Sequence, residues 1–279
     1  MGMRLATVIT PTGTTAAVLD GDRWRALPAT DLSSLLAAAD GDGRWDAGRI
    51  ASATGAELTG AVPVSPLPRP GKVVCCGLNY GDHIRETGRE LPTHPTLFAK
   101  FADTLTGPRD ELVLPSDAQW DWEAELAVVV GATLRRADRD QARAAIAGYT
   151  VANDVSARDW QYRTLQWLQG KAWDASTPVG PVVVTPDEID PVAGVDVVCR
   201  INGEQVQRGN TSTLVFDAAD LLAYVSTFAT LRPGDLVLTG TPGGVGVARE
   251  PQRFLADGDV LETAIDGIGT LRNTVRLTA

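Results

Sequence analysis

Trp122-Glu123-Ala124-Glu125-Leu126-Ala127-Val128-Val129-Val130-Gly131 reads as a β-strand, because it ends in a β-branched run and a glycine stop. Side chains alternate faces along a strand, so Glu123 and Glu125 point the same way, roughly 6–7 Å apart. The continuation of the strand is wholly apolar. Burying one unpaired carboxylate is costly, and a like charge beside it raises the cost. Two readings are open. Either the strand lies at a sheet edge with its acids solvated, or a hard cation, which prefers carboxylate oxygen, removes the conflict.

Working outward, residues 138–147 have helical composition, 148–154 read as a strand and 155–168 as a helix. Strands follow at 180–185 and 195–201, the latter ending in the hairpin turn Asn202-Gly203. An amphipathic helix is expected over 217–228, and strands at 236–239, 260–265 and 271–277 close the chain. On the other side, strands are expected at 3–9, 14–19, 72–77, 96–101 and 112–115. Asp31 caps a short helix over 32–39, and a second helix is expected over 45–58. Asn79 is placed to cap a helix over 80–89. Residues 63–71 hold four prolines and read as an extended linker, so the chain divides into a small N-terminal unit (1–62), this linker and a larger domain (72–279). Helices and strands mix without a regular βαβ repeat, which argues for an α+β, sheet-rich fold.

Several other residues have the chemistry of a site. Asp154 ends an apolar strand and is either a cap or a third carboxylate beside the pair; carboxylates plus water suit Mg²⁺ or Mn²⁺. Arg158 and Gln161 follow at helical spacing, as surface partners of Asp154 or as a grip on a substrate carboxylate. His83 and Glu86 are three apart on the helix expected over 80–89; they are an exposed pair, or an imidazole oriented by a carboxylate to act as a general base. Lys171, flanked by Gly170 and lying two residues before Trp173, is a solvated loop cation or one that faces an oxyanion. The stretch Thr239-Gly240-Thr241-Pro242-Gly243-Gly244-Val245-Gly246 lacks both the P-loop lysine and the dinucleotide glycine spacing, so its glycines serve a sharp turn or close approach to a ligand, and Thr241 offers a hydroxyl donor.

Composition narrows the function class. The chain has 279 residues, 44% of them hydrophobic and 22% charged, in the range of ordinary globular proteins. A net charge of −10 argues against nucleic acid and anionic membranes as partners. No apolar run approaches the roughly 20 residues of a membrane span. The N-terminal stretch Met1-Gly2-Met3-Arg4-Leu5-Ala6 leads into no apolar segment long enough for a secretory signal. Cys75, Cys76 and Cys199 form no disulfide framework, and a reducing cytoplasm is expected.

Five segments in a fixed order resemble the fumarylacetoacetate hydrolase family, over roughly residues 70–277. They are Gly77-Leu78-Asn79-Tyr80-Gly81-Asp82-His83-Ile84-Arg85-Glu86, the opening strand, Asn153-Asp154-Val155-Ser156-Ala157-Arg158-Asp159-Trp160-Gln161, Gly170-Lys171 with Pro178-Val179-Gly180-Pro181, and the 233–246 loop. The resemblance implies a β-rich mixed-sheet roll with a small N-terminal α/β appendage, and a homodimer. It implies a divalent ion, Mg²⁺ or Mn²⁺, on Glu123, Glu125 and Asp154. It makes His83 and Glu86 a water-activating dyad, Lys171 an oxyanion partner, and Arg158, Gln161 and Thr241 pocket residues. Trp173-Asp174 departs from the Ser-Phe common after this lysine in the family. The implied activity is hydrolysis of the C–C bond of a 2,4-dioxo acid, an acylpyruvate such as the fumarylpyruvate of aromatic-compound catabolism, to pyruvate and a second acid. Alternatives within the family are oxaloacetate decarboxylation, isomerisation of 2-hydroxyhepta-2,4-diene-1,7-dioate and oxo-acid dehydration. A member that only binds oxo acids is a different class, against which the His83–Glu86 pair argues.

Overall fold

The strand that carries the two glutamates lies in the middle of a sheet, not at its edge. The protein is described by a computed structural model over residues 2–39, 50, 52–81, 84 and 90–279. Among these, the first strands are β1 (Arg4–Thr10), β2 (Gly13–Asp20), β3 (Arg23–Ala26), β4 (Val62–Pro63), β5 (Val73–Gly77) and β6 (Thr96–Lys100). Then come β7 (Leu105–Thr106), β8 (Leu112–Pro115), β9 (Trp120–Asp121), β10 (Ala124–Val130), β11 (Ile146–Asn153) and β12 (Ser156–Ala157). The last six are β13 (Thr177–Val184), β14 (Asp196–Ile201), β15 (Glu204–Asn210), β16 (Leu236–Leu238), β17 (Val260–Ile265) and β18 (Gly269–Thr278). The helices are short: α1 (Leu32–Ala39), α2 (Arg139–Ala144), α3 (Arg158–Gln161), α4 (Leu168–Lys171) and α5 (Ala218–Phe228). Mixed sheets with few helices make the fold α+β and β-rich, as the order of elements predicts.

The main sheet runs β3-β2-β1-β13-β11-β10-β16-β5-β6, with β4 on β1 and β7 on β13. A second sheet, β15-β14-β17-β18-β8, packs beside it. Every residue of β10 is buried, which explains its apolar sequence: both neighbours and both faces are covered. Leu126, Val128 and Val130 join one core, while Ala127 and Val129 join another that includes Leu5, Leu32 and Leu36. By alternation, that second face also carries Glu123 and Glu125. The N-terminal strands extend this sheet, and α1 packs into the core on the face where the acids lie; each fully buried leucine there contributes about 1.5–3 kcal/mol. The proline-rich stretch lies against the sheet, with Leu67 buried and the Thr7 hydroxyl donating to Pro66 O at 2.7 Å.

Most predicted elements form, and the exceptions have local causes. The helix expected over 155–168 is broken. Ser156-Ala157 pairs with Trp120-Asp121 instead, and the Thr164 hydroxyl accepts from Gln166 N–H, a local bond that competes with a helix. Asn79 binds loops distant in sequence: its amide donates to Phe216 O and Thr239 O and its oxygen accepts from Phe216 N–H. The helix expected over 45–58 falls mostly outside the described residues, and at its end Glu57 bridges Arg25 as extended chain. The helix expected over 80–89, with His83 and Glu86, also lies mostly outside them.

Candidate metal centre and substrate pocket

Strand register builds the site. β10 and β11 run antiparallel with Ala124 opposite Asn153, so the residue before β10 and the residue after β11 meet. Asp154 N–H donates to Glu123 O at 2.8 Å, and Glu123 N–H donates to the Asn153 side chain at 3.0 Å. β16 lies on the other side of β10, and the chain leaving it turns at Gly240, whose φ of 97° suits glycine alone. That turn aims Gly240 N–H at Glu125 Oε2, 2.7 Å away. Glu123, Glu125 and Asp154, all buried, each offer an oxygen, and these lie within 4.8 Å of one another.

Three buried cations surround the acids. Lys171, at the end of α4 and 1% exposed, donates to Glu123 Oε2 at 2.7 Å and to Asp154 Oδ2 at 2.9 Å. Lys100 donates to the other oxygen of Asp154 at 2.5 Å. Arg158 reaches Glu123 Oε1 at 2.7 Å, Asp121 Oδ2 at 2.8 Å and Gln161 Oε1 at 2.8 Å. Burial works against ionised Asp154, yet Lys100 and Lys171 hold its carboxyl below the usual range. Burial likewise works against the Lys171 ammonium, but Asp154 and Glu123 hold it above its usual value. Glu125 is the exception. Burial first, then Asp154 and Glu123, push its carboxyl well above the ordinary value.

Four carboxyl groups (Asp121, Glu123, Glu125 and Asp154) thus face three cations, and Glu125 is the one that burial and its acidic neighbours hold toward the protonated form. Among the described residues no lysine or arginine pairs with Glu125, which accepts a hydrogen bond from Gly240 N–H. Three buried carboxyl groups with converging oxygens, one of them without a lysine or arginine beside it, fit a divalent cation, which would take the place of that carboxyl's proton. The edge-strand reading of the glutamate pair is therefore set aside, since β10 is central.

A cavity of about 420 Å³ opens on this cluster. Glu123, Arg158, Gln161, Lys171 and Thr241 form its polar wall, so four residues marked in the sequence for the pocket or its chemistry, and one marked for the metal, meet there. The Thr241 hydroxyl donates to Ala124 O and accepts from Gln207. Cys76 also lines the cavity, and burial and Glu125 push its thiol up to about 12, so it stays protonated at neutral pH. Trp173, the departure after the lysine, packs edge-to-face between Trp120 and Trp160 at 5.2 and 5.1 Å. His83 and Glu86 lie outside the described residues.

Sequence reasoning missed Lys100 and Asp121. Asp121 has the same strand parity as Glu123 and Glu125, a signal available in the sequence; it also accepts from Gly246 N–H and Val247 N–H and so anchors the 239–246 loop. Lys100 had only a weak signal, a charge at the end of the apolar run Thr96-Leu97-Phe98-Ala99.

The fumarylacetoacetate hydrolase C-terminal domain matches residues 72–276. The chain belongs to the fumarylacetoacetate hydrolase family. Human mitochondrial oxaloacetate tautomerase FAHD2A is 49% identical over 215 residues, 76% of this chain and 68% of that protein. A 2,4-didehydro-3-deoxy-L-rhamnonate hydrolase from Sphingomonas sp. is 44% identical over 236 residues, 81% of this chain and 83% of that one. Among solved structures, the fumarylacetoacetate hydrolase of Exiguobacterium antarcticum superposes with a TM-score of 0.86 at 32% identity, covering 99% of this chain and 100% of that one. The relatives are thus enzymes of more than one reaction type. No helix among the described residues is long and apolar enough to cross a membrane.

Proposed function

We propose that this chain is a divalent-metal-dependent hydrolase of 2,4-dioxo acids, cleaving the C3–C4 bond of an acylpyruvate to pyruvate and a second acid. The observation that carries the reading is the buried triad Glu123, Glu125 and Asp154, whose oxygens lie within 4.8 Å of one another. Glu123, Glu125 and Asp154 would hold Mg²⁺ or Mn²⁺, which when bound supplies a Lewis acid for the 2-oxo acid end of the substrate. Arg158, Gln161 and Thr241 orient the substrate from the polar wall. Lys171 faces the oxygen that gains charge when water adds to C4. His83, oriented by Glu86, is assigned on sequence alone as the base that takes the water proton. The C3–C4 bond then breaks, C3 keeps the electron pair and is protonated to give pyruvate, and C4 leaves as the carboxyl of the second acid. The hydrolase from Sphingomonas, whose name specifies an acid oxidised at C2 and C4, supports this substrate class. The reading includes a homodimer, and the three buried free cysteines agree with a reducing cytoplasm.

A second reading, oxaloacetate tautomerisation or decarboxylation, is favoured by the 49% identity to the human tautomerase. Both readings develop negative charge at C3 next to a 2-oxo group, so one site chemistry serves either. The test is a panel of acylpyruvates, oxaloacetate and a dienedioate, assayed with Mg²⁺, Mn²⁺ and chelator. Metal-dependent pyruvate release from acylpyruvates supports the hydrolase. Loss of oxaloacetate enol absorbance without pyruvate identifies a tautomerase, and no turnover of any member sinks both. His83→Ala is expected to lower turnover at least a hundredfold while metal affinity stays within twofold.

A further inference from the structure

Asp121 is fully buried, and both of its oxygens are taken by donors from three segments of the chain. Oδ1 accepts from the adjacent Trp122 N–H at 2.8 Å and from Gly246 N–H at 2.7 Å. Oδ2 accepts from Val247 N–H at 3.0 Å and from Arg158 Nε–H at 2.8 Å. The close approach of the loop depends on Gly246, where a Cβ would stand 2.8 Å from Asp121 Oδ1 and 1.9 Å from Arg253 O. Arg158 is held at a second point, where Nη1 reaches Glu123 Oε1 at 2.7 Å and Gln161 Oε1 at 2.8 Å. A guanidinium is planar, so one contact at Nε and another at Nη1 fix its plane. Arg158 lines the cavity, and so do Val245, Val247 and Ala248 of the loop. One carboxylate therefore joins a cation of the cavity lining to the backbone of another part of that lining.

We propose that Asp121 is a positioning residue: it sets the plane of Arg158 for a substrate carboxylate and ties that guanidinium to the 245–248 loop. The proposal rests on the oxo-acid reading above, in which Arg158 binds substrate, and deepens it. Asp121 does not itself line the cavity, so it acts through Arg158. Asp121→Asn keeps the shape of the side chain and removes this role. The amide nitrogen is a donor, so two of the four N–H groups face another donor whichever way the amide turns. Glu123 then remains as the carboxylate paired with Arg158, and the guanidinium is free to turn about that contact.

Pyruvate binding at saturating Mn²⁺, followed by broadening of the pyruvate methyl resonance, measures the grip apart from turnover. Asp121→Asn is expected to weaken pyruvate binding at least fivefold, and Arg158→Met to do the same. The deciding comparison is the double variant. A residue that acts through Arg158 has nothing to add once Arg158 is gone, so Asp121→Asn in the Arg158→Met background should change pyruvate affinity less than twofold. A larger additional loss would make Asp121 a loop anchor alone and overturn the proposal, as would a loss below fivefold in Asp121→Asn by itself. Hydrogen exchange in the ligand-free protein guards against a folding defect in Asp121→Asn. Arg158→Met leaves Asp121 in place but takes away its cation, and should speed exchange of the Gly246 and Val247 amides at least fivefold while Val128 and Val129 stay within twofold. Unchanged exchange at Gly246 and Val247 would show that guanidinium and loop are not joined and would overturn the proposal. No binding of pyruvate by the parent protein would remove the oxo-acid reading, and the substrate role of Asp121 with it.

Discussion

At the residue scale, three acids that look alike in sequence have different environments. Asp154 is held between Lys100 and Lys171. Replacing it by Ala leaves buried ammonium groups without their partner and should cost about 3–5 kcal/mol, read as a lower denaturation midpoint in urea. Glu125→Gln should act in the opposite direction. The amide oxygen can still accept from Gly240 N–H, while an amide removes the cost of burying an ionisable carboxyl beside Asp154 and Glu123. The metal-free variant is expected to melt at a higher temperature than the parent, and added Mn²⁺ should no longer raise its Tm. An unchanged Mn²⁺ response would count against the triad. The pairing of these acids was legible from parity and chain order, but their inequality was not. It depends on Lys100, which lies 54 residues from Asp154 and read as an ordinary strand-end charge. Asp31 was legible as a helix cap, and its carboxylate accepts from Ser34 N–H at 2.7 Å. Burial opposes its ionisation, but Ser34, Thr30 and Arg69 outweigh that and lower its pKa. A depressed carboxyl stabilises the fold above its unfolded value of 3.8, and this contribution fades as pH falls through the lower folded value. Asp31→Ala should cost about 0.5–2 kcal/mol at pH 7, with the difference from the parent narrowing below pH 3.8 in acid titrations followed by circular dichroism.

At the scale of elements, the segment between Asp154 and Pro178 is where local pattern and structure part. Its helical composition predicted one helix, but Ser156-Ala157 is drawn into a ladder with Trp120-Asp121 and leaves two short helices. These two, α3 and α4, carry Arg158 and Gln161 on one and Lys171 on the other. They touch where a Cβ on Gly170 would lie 2.6 Å from Gln161 N and Cα. Gly170→Ala should therefore force the helices apart, at about 1–3 kcal/mol for an overpacked contact. Because the shift moves Gln161 and Lys171 relative to each other, kcat/KM is expected to fall at least tenfold while the protein remains folded. Steady-state kinetics beside a thermal melt would separate the two effects, and full activity would show that this contact does not position the site.

Across the whole molecule, the main sheet joins the first residues of the chain to its centre. Leu5 and Arg4 of β1 pair with Val183 and Val184 of β13, and β13 pairs with β11, the strand that delivers Asp154. A chain shortened to residues 63–279 would leave the β13 edge unpaired and expose the face now covered by Leu5, Leu32 and Leu36. Such a chain is expected to aggregate and to lose its cooperative melt, measured by sedimentation and circular dichroism; a monodisperse, cooperatively folding product would show the N-terminal unit to be dispensable. The sequence by itself determined the sheet-rich class, the family and the candidate acids, because strand alternation, turn residues and motif order are properties of neighbouring positions. Only the tertiary structure decided that β10 is central, that Lys100 and Asp121 complete the charge cluster, and that Arg158, Gln161, Lys171 and Thr241 line one cavity. Those facts depend on register and packing between segments tens of residues apart, where the burial of a charge is a property of the assembled sheet and not of any stretch within it.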